Sequence, residues 1–188
     1  MLEVLKKRLL IIIIIPMIAI FVAGAVSMIM LPVYRATATI MVANTSAGGT
    51  MSGYDSLLLN RQLVKTYGAL ALEQDSLQKV AEQLKGISLD ELTRKITVSP
   101  VKELELLKIS VKDENPQRAA FIANTTVDVL RKKANLLYGS DNIKVISPAE
   151  VPLKQDKPDI LVNTVAAGAA GLIVAIIISF WLEDKFLR

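Results

Sequence analysis

The sequence predicts an α+β domain carried between two membrane-spanning helices, and two features lead to this prediction. Residues 9–31 and 160–182 are uncharged hydrophobic runs of 23 residues each. A helix of that length covers about 34 Å, enough for a hydrocarbon core of about 30 Å. The region between them, 32–159, alternates strand and helix patterns. Short ends, 1–8 and 183–188, flank the two runs.

The charges beside the two runs predict their orientation. Lys6, Lys7 and Arg8 stand directly before the first run, and Lys185 and Arg188 follow the second. Basic residues next to a membrane span are retained in the cytoplasm. We therefore expect a two-pass membrane protein with both termini in the cytoplasm and residues 32–159 outside it.

Two other interpretations of the hydrophobic runs are less favoured. The first run resembles a signal peptide in its position, but it is longer than an ordinary h-region, and the sequence around Pro32 is a poor cleavage site. Buried core helices are the second alternative. They are disfavoured because each run extends over 23 residues without a charge.

The intervening domain begins with a strand and a helix. Tyr34–Val42 alternates β-forming side chains with a period of two, which predicts a strand. The stretch 44–54 is rich in glycine, serine and threonine and predicts a loop. Apolar residues then recur at intervals of three and four along 58–72, which predicts an amphipathic helix.

Two capping-box patterns predict further short helices. Asp75 is followed three residues later by Gln78, and Ser88 is followed three residues later by Glu91. In such a box the first side chain accepts a hydrogen bond from the backbone N–H three residues on. We therefore expect helices to begin at Asp75 and at Ser88, with Gly86 ending the first of them.

A hairpin and a long helix follow. Residues 96–101 and 106–112 are rich in β-formers and are joined by a short charged connection, which predicts an antiparallel pair. Asn115 is a suitable N-cap and Pro116 a suitable first helical residue. The apolar stripe that begins there predicts a helix ending at Gly139.

A final strand at 144–147 completes a β-α-β-β-α-β order, the split βαβ arrangement. The predicted fold class is therefore α+β, with two transmembrane helices flanking an extracytoplasmic, ferredoxin-like domain. Its first and last strands connect directly to the two hydrophobic runs. If these strands are neighbours in the sheet, they bring the two spans together.

Composition disfavours catalysis and nucleic-acid binding. The chain has no histidine, no cysteine and a net charge of only +4. The missing histidine removes the commonest general base and metal ligand. Asp113 and Glu114 are the residues that most resemble a catalytic pair of carboxylates. They precede a helix N-terminus, however, where carboxylates are stabilised without any catalytic role. We expect no enzymatic activity, no cofactor, no metal site and no nucleic-acid partner.

Several segments, in this order and between two such spans, carry a resemblance to a known family. They are 34–42, 63–67, 109–116 with the Ala119-Ala120 and Ala123-Asn124 pairs, 146–149, and the prolines before the second span. Together they resemble the chain-length-determinant family over nearly the whole chain. That family comprises Wzz-type polysaccharide co-polymerases and related membrane adaptors of bacterial tyrosine kinases.

The resemblance implies a non-enzymatic protein that forms a ring of identical subunits in the bacterial inner membrane, in contact with membrane lipid. Such a ring controls or supports chain length in capsule, exopolysaccharide or O-antigen synthesis. Its partners would be a Wzy-type polymerase or the growing polysaccharide. An adaptor that activates a separate cytoplasmic tyrosine kinase is the alternative, with Phe186 as the candidate kinase contact. A third candidate function is a sensor module whose cytoplasmic output lies on another chain. The sequence contains no phosphate-binding Gly-x4-Gly-Lys-Ser/Thr loop.

Small residues in the second run predict close helix packing. Ala167 and Gly171 have small-xxx-small spacing, and Gly168 lies between them. Such spacing lets helix backbones approach closely. The partner is either the first span or a neighbouring subunit. A plain alanine-rich span is the alternative.

Two further groups of residues are candidates for function. Pro148, Pro152 and Pro158 restrict the backbone before the second span, and the resemblance implies a rigid lead into the membrane; an ordinary loop is the alternative. Arg131, Lys132 and Lys133 form the densest basic cluster. They are candidate contacts for an anionic glycan or a partner, or else a solvated helix face near a C-terminus.

Overall fold

The computed structural model describes residues 9–42, 53–84, 86–101, 104–139 and 142–186. The chain divides into two compact units. One is made of Met1–Pro32 together with Asp156–Arg188, and the other is Val33–Gln155. In chain order the elements are α1 (Leu9–Ile29), β1 (Tyr34–Val42), α2 (Gly53–Leu72), α3 (Gln74–Gln83), α4 (Leu89–Lys95), β2 (Ile96–Pro100), β3 (Leu106–Asp113), α5 (Pro116–Tyr138), β4 (Ile143–Ser147) and α6 (Ile160–Phe186).

The first unit consists of the two hydrophobic helices. Helix α1 and the Ile160–Leu182 part of α6 are each long and apolar enough to cross a membrane. Helix α1 ends at Ile29, two residues short of the hydrophobic run, because Leu31 precedes a proline and is disfavoured in helical geometry. Helix α6 continues past Leu182 to Phe186.

The second unit is built on a four-stranded antiparallel sheet with the strand order β2-β3-β1-β4. Strands β2 and β3 form the predicted hairpin. The first and last strands, β1 and β4, are neighbours, with a register shift between Thr39 and Ile40. The element order therefore matches the β-α-β-β-α-β pattern of the sequence, with three helices in the first crossover.

One face of the sheet forms the core. Alternate residues of β1 and β3 are at most 1% exposed: Ala36, Ala38, Ile40, Val42, Leu107, Ile109 and Val111. The buried stripe of α5 packs against β1 and β3, and α2 also contacts the sheet. Burying one face of each strand follows from the period-two pattern, because successive side chains point to opposite faces.

The helix boundaries test the capping predictions. The Asn115 side chain accepts a hydrogen bond from the Arg118 N–H at 2.9 Å, and Gly139 ends α5 with φ of 65°. Ser88 Oγ accepts from the Glu91 N–H at 3.2 Å. These three predictions are confirmed.

The capping box predicted at Asp75 is wrong. Helix α3 begins at Gln74, and its N-cap, Glu73, makes no side-chain capping bond. Asp75 already lies inside the first turn, and its carboxylate instead accepts hydrogen bonds from Lys79 at 2.9 Å and Lys133 at 3.1 Å. The Asp75 carboxylate therefore bonds to Lys133 of α5 instead of to the backbone N–H of Gln78 that the capping box predicts.

Candidate functional site

The second face of the sheet is basic and rich in hydroxyl groups, and it forms the leading candidate site in the α+β unit. Its side chains come from β1 (Arg35, Thr37, Thr39, Met41), β2 (Thr97, Ser99), β3 (Leu106, Lys108, Ser110, Lys112) and β4 (Lys144), and all of them are exposed or half-buried. We call this surface the open sheet face. None of these eleven positions, all within the described residues, is aspartate or glutamate.

Strand register places the charged groups of the open sheet face in a row. Arg35 lies opposite Lys112, and Lys108 lies opposite Thr39. Lys144 lies opposite Met41 on the other side of β1. Between the charges, Thr37 Oγ1 and Ser110 Oγ are 2.9 Å apart across the strands and share a hydrogen bond.

A groove of about 580 Å³ opens at one end of this face. It is lined by Arg35, Ala36 and Thr37 of β1 and by all residues of the segment 147–154 except Ala149, so that Pro148, Glu150 and Pro152 are among them. Two of the three candidate prolines therefore lie at this groove. The third, Pro158, belongs to the other compact unit.

Asn124 holds the proline-bearing segment against α5. Its side-chain amide donates to the Ala149 carbonyl at 2.9 Å, and its carbonyl oxygen accepts from the Ala149 N–H at 2.8 Å. Paired bonds of this kind fix both the position and the orientation of a backbone segment. Sequence reasoning gave Asn124 no role of its own, although Asn124 and Ala149 both lie in segments that carried the family resemblance.

Asp113 is a buried carboxylate at the end of β3. It accepts hydrogen bonds from Lys95 Nζ at 2.8 Å, Arg118 Nε at 2.9 Å and the Asn115 N–H at 2.8 Å. Burial by itself would raise the pKa of Asp113, but the bonds from Arg118, Lys95 and Asn115 outweigh it and hold the pKa below its ordinary value. With all its partners inside the domain, Asp113 joins α4, β3 and α5.

The basic cluster on α5 is divided in the structure. Lys133 Nζ contacts Glu73 at 2.8 Å and Asp75 at 3.1 Å, and its side chain is only 13% exposed. It therefore ties α5 to the start of α3. Arg131 and Lys132 are exposed. Arg131, Lys132 and Lys133 therefore do not form one charged surface, because Lys133 lies in the contact between α5 and the start of α3.

The small residues of the second span lie against the first span of the same chain. A Cβ placed on Gly168 would meet Ile20 at 3.1 Å, and one placed on Gly171 would meet the Pro16 Cα at 2.9 Å and the Ala19 Cβ at 3.0 Å. The backbones of α1 and α6 thus approach each other closely at Gly171. Ala167 lies one residue before Gly168 on α6 and is half-buried.

One polar pair joins the same two helices. Asn163 Nδ2 donates to Ser27 Oγ at 3.1 Å, and Ser27 is 4% exposed. A hydrogen bond between apolar helices adds direction to their van der Waals packing. The side chain of Phe186, the candidate kinase contact, lies outside the described residues. Within the described ranges, no group of three or more acidic, histidine or cysteine residues is placed to hold a metal ion.

Comparison with known proteins adds a family and a fold. The model of the family "Wzz: Chain length determinant protein" matches residues 1–84. A protein of Bacillus subtilis (strain 168), "Probable capsular polysaccharide biosynthesis protein YwqC", is 34% identical over 187 residues, covering 97% of this chain and 75% of that protein. "Capsular polysaccharide type 8 biosynthesis protein cap8A" of Staphylococcus aureus is 29% identical over 190 residues, covering 99% of this chain and 86% of that protein.

Among solved structures, a chain described as a full-length bacterial polysaccharide co-polymerase has a similar fold. The TM-score is 0.58, the identity is 13%, and the likeness covers 100% of this chain and 98% of the other. At that identity the likeness concerns the fold alone.

Proposed function

Because the chain belongs to the chain length determinant (Wzz) family, we propose that it is a non-enzymatic polysaccharide co-polymerase of the bacterial inner membrane. It controls or supports chain length during synthesis of a capsule or related exopolysaccharide, as a membrane-embedded homo-oligomer working with a Wzy-type polymerase. The observation that carries the proposal is the 34% identity, over 97% of the chain, to a relative named for capsular polysaccharide biosynthesis.

The architecture supports a two-pass protein whose folded domain lies outside the cytoplasm. Two helices of spanning length bracket the α+β unit in sequence. The basic residues next to the spans favour cytoplasmic termini. The β2-β3-β1-β4 order, read with the β-α-β-β-α-β succession, supports placing the domain in the ferredoxin-like class.

The side chains of the α+β unit support a role in assembly and positioning rather than catalysis. Among the described residues of this unit, the most buried charged group is Asp113, which has three partners inside the domain. Lys133 joins two helices. Neither geometry leaves a general acid or base facing a cleft. The open sheet face with its groove is an exposed surface that a partner can contact.

A kinase adaptor is the second candidate, and one observation favours it. Helix α6 continues beyond the apolar span, from Leu182 to Phe186. If the carboxyl end is cytoplasmic, this last turn is a helical projection that a cytoplasmic kinase can contact.

A host that lacks its own co-polymerase gene separates the two functions. The chain is expressed there with and without the host's cytoplasmic tyrosine kinase, and glycan length is read from a gel. A co-polymerase imposes the same modal length in both backgrounds. An effect on length that disappears with the kinase contradicts the proposal and supports the adaptor.

A further inference from the structure

We propose that Leu153 anchors the α+β unit to the phospholipid surface, with its side chain inserted below the lipid headgroups. This inference rests on the part of the proposed function that places α1 and α6 in a membrane. It adds a membrane contact that the folded domain makes itself, in addition to the two spans. The occupant follows from exposure, chain length and charge.

Leu153 is an apolar residue that the domain leaves uncovered. It is 97% exposed, the largest fraction among the large apolar residues of the described ranges. Val151, two residues earlier, is 46% exposed. Apolar side chains in water gain free energy when another surface covers them, in proportion to the area removed from water. The segment therefore has an apolar surface available for a partner.

Two short connections limit how far this segment can lie from the spans. Tyr34, where β1 begins, comes five residues after Ile29, where α1 ends, and Ile160, where α6 begins, comes seven residues after Leu153. An extended chain covers at most about 3.6 Å per residue, so the two connections reach no more than about 18 Å and about 25 Å. These limits come from chain length alone.

Both connections leave the α+β unit at the same end. Leu153 lines the groove together with Arg35, which is the second residue of β1. The chain-length limits on the start of β1 and on Leu153 therefore act on one end of the domain. With α1 and α6 in a bilayer, Leu153 is held within reach of the surface of that bilayer.

The domain restrains the segment that carries Leu153. Asn124 bonds to both the carbonyl and the N–H of Ala149, four residues before Leu153, at 2.9 and 2.8 Å. Pro152 fixes the backbone angle φ of the residue just before Leu153. A restrained segment loses less conformational entropy on binding than a free loop does. Insertion of Leu153 therefore holds the domain, and not only its linker, at the membrane surface.

The charges beside Leu153 suit a phospholipid of any headgroup charge. Lys154 is exposed, and a lysine can lay its apolar stem along the interface while its ammonium group contacts a lipid phosphate. Glu150 carries the opposite charge, so the segment 150–154 has no formal net charge. The contact therefore depends on apolar insertion and needs no anionic lipid.

Leu136 provides a matched control at the opposite end of the domain. It is 83% exposed and lies 20 residues into α5, about 30 Å from the start of that helix. Helix α5 starts just after Asp113, which pairs with Tyr34, and it ends before β4, whose first residue pairs with the last residue of β1. Leu136 is therefore an exposed leucine far from the groove.

The test uses the full-length chain in nanodiscs of phosphatidylcholine. Because the chain has no native cysteine, Gln155→Cys gives a single site for a bimane fluorophore at an exposed position beside Leu153. The two quenchers are phosphatidylcholine with a nitroxide near the top of one acyl chain, and iodide in the water. We expect strong quenching by the lipid and weak quenching by iodide, because interfacial segments lie about 5–10 Å into the headgroup and acyl boundary.

Two substitutions show whether Leu153 causes the insertion. In the Gln155→Cys background, Leu153→Asp should lower the lipid quenching at least about twofold, because the apolar area that drives insertion is replaced by a charge. Leu136→Asp makes the same exchange at an exposed leucine and should leave the quenching unchanged. A separate bimane at Leu172→Cys, within the Ile160–Leu182 span, reports whether α6 lies in the lipid.

Three results would overturn the inference while the Leu172 probe is quenched by lipid. One is a fluorophore at position 155 that iodide quenches and the lipid does not, which leaves the segment in water. Another is a fluorophore that neither quencher reaches, which means that a second copy or another protein covers it. The third is lipid quenching that Leu153→Asp leaves unchanged or that both aspartate variants lower equally. If the Leu172 probe is not quenched either, the membrane placement in the proposed function fails together with this inference, so the two failures are distinguishable.

Discussion

Gly171→Ala should loosen the packing of the two spans, because α1 leaves no room for a methyl group. The added Cβ would lie 2.9 Å from the Pro16 Cα, about 0.5 Å short of the 3.4 Å at which ordinary van der Waals contact begins. The obstructing atom belongs to the backbone, so a side-chain rotation cannot relieve it. Overpacking of this kind costs about 1–3 kcal/mol. The two helices must separate locally to accept the methyl group.

Gly24→Ala in the facing helix is a matched control. Its Cβ would lie 3.7 Å from the Thr164 Cγ2, an ordinary contact. Both substitutions add one methyl group within the same helix pair, and both gain the same helix propensity, up to about 1 kcal/mol. The difference between them therefore isolates the close approach at Pro16.

The absence of native cysteine makes an assay simple. Cysteines at Ser27 and Asn163, whose side chains are hydrogen-bonded between the helices, report the pairing through the rate of disulfide formation in mild detergent. Increasing the fraction of SDS separates the spans. Gly171→Ala should lose cross-linking at a lower SDS fraction than the parent, whereas Gly24→Ala should follow the parent. If the two variants behave alike, the close approach at Gly171 has no energetic weight and the packing argument is wrong.

Three further predictions concern stability, topology and assembly. Asp113→Asn should lower the free energy of unfolding by about 2–3 kcal/mol in a detergent melt, because it removes the charge from hydrogen bonds with Lys95 and Arg118. The pKa of Asp113 is lowered in the folded protein, so the stabilisation that its charge provides is fully present above the ordinary carboxyl pKa of about 3.9 and is lost as the pH falls through the folded pKa. The free energies of unfolding of parent and variant should therefore converge in acid. A constant difference between them at all pH values would refute this. A cysteine at Gln117 should react with an impermeant maleimide on intact cells, and one at Glu3 only after permeabilisation; the reverse would invert the orientation. The protein should form a homo-oligomer of more than about four subunits by light scattering, and a monomer in every mild detergent would count against a closed ring.

Local signals predicted much of the α+β unit. The limits of β1 follow from its period-two alternation, and Asn115 and Gly139 delimit α5 as their capping preferences indicate. The error at Asp75 has a tertiary cause. Its carboxylate bonds to Lys133, 58 residues away, and a capping pattern takes no account of such a partner.

The candidate site was harder to predict because strand pairing assembles it. Lys108 and Lys144 belong to separate segments of the sequence and share a face only through β1. The bonds between Asn124 and Ala149 join positions 25 residues apart, and no local pattern indicates them. The spacing of Ala167 and Gly171 predicted a close approach, but only the structure places Pro16 opposite Gly171.

Glycan length in cells without the native co-polymerase tests the central claim most directly. The chain is expressed from a graded promoter, and total polysaccharide and its length distribution are measured on the same gel. The account predicts a broad distribution without the protein and a defined modal length with it, at equal total polysaccharide. A change in the amount of polymer with an unchanged length distribution would contradict the account.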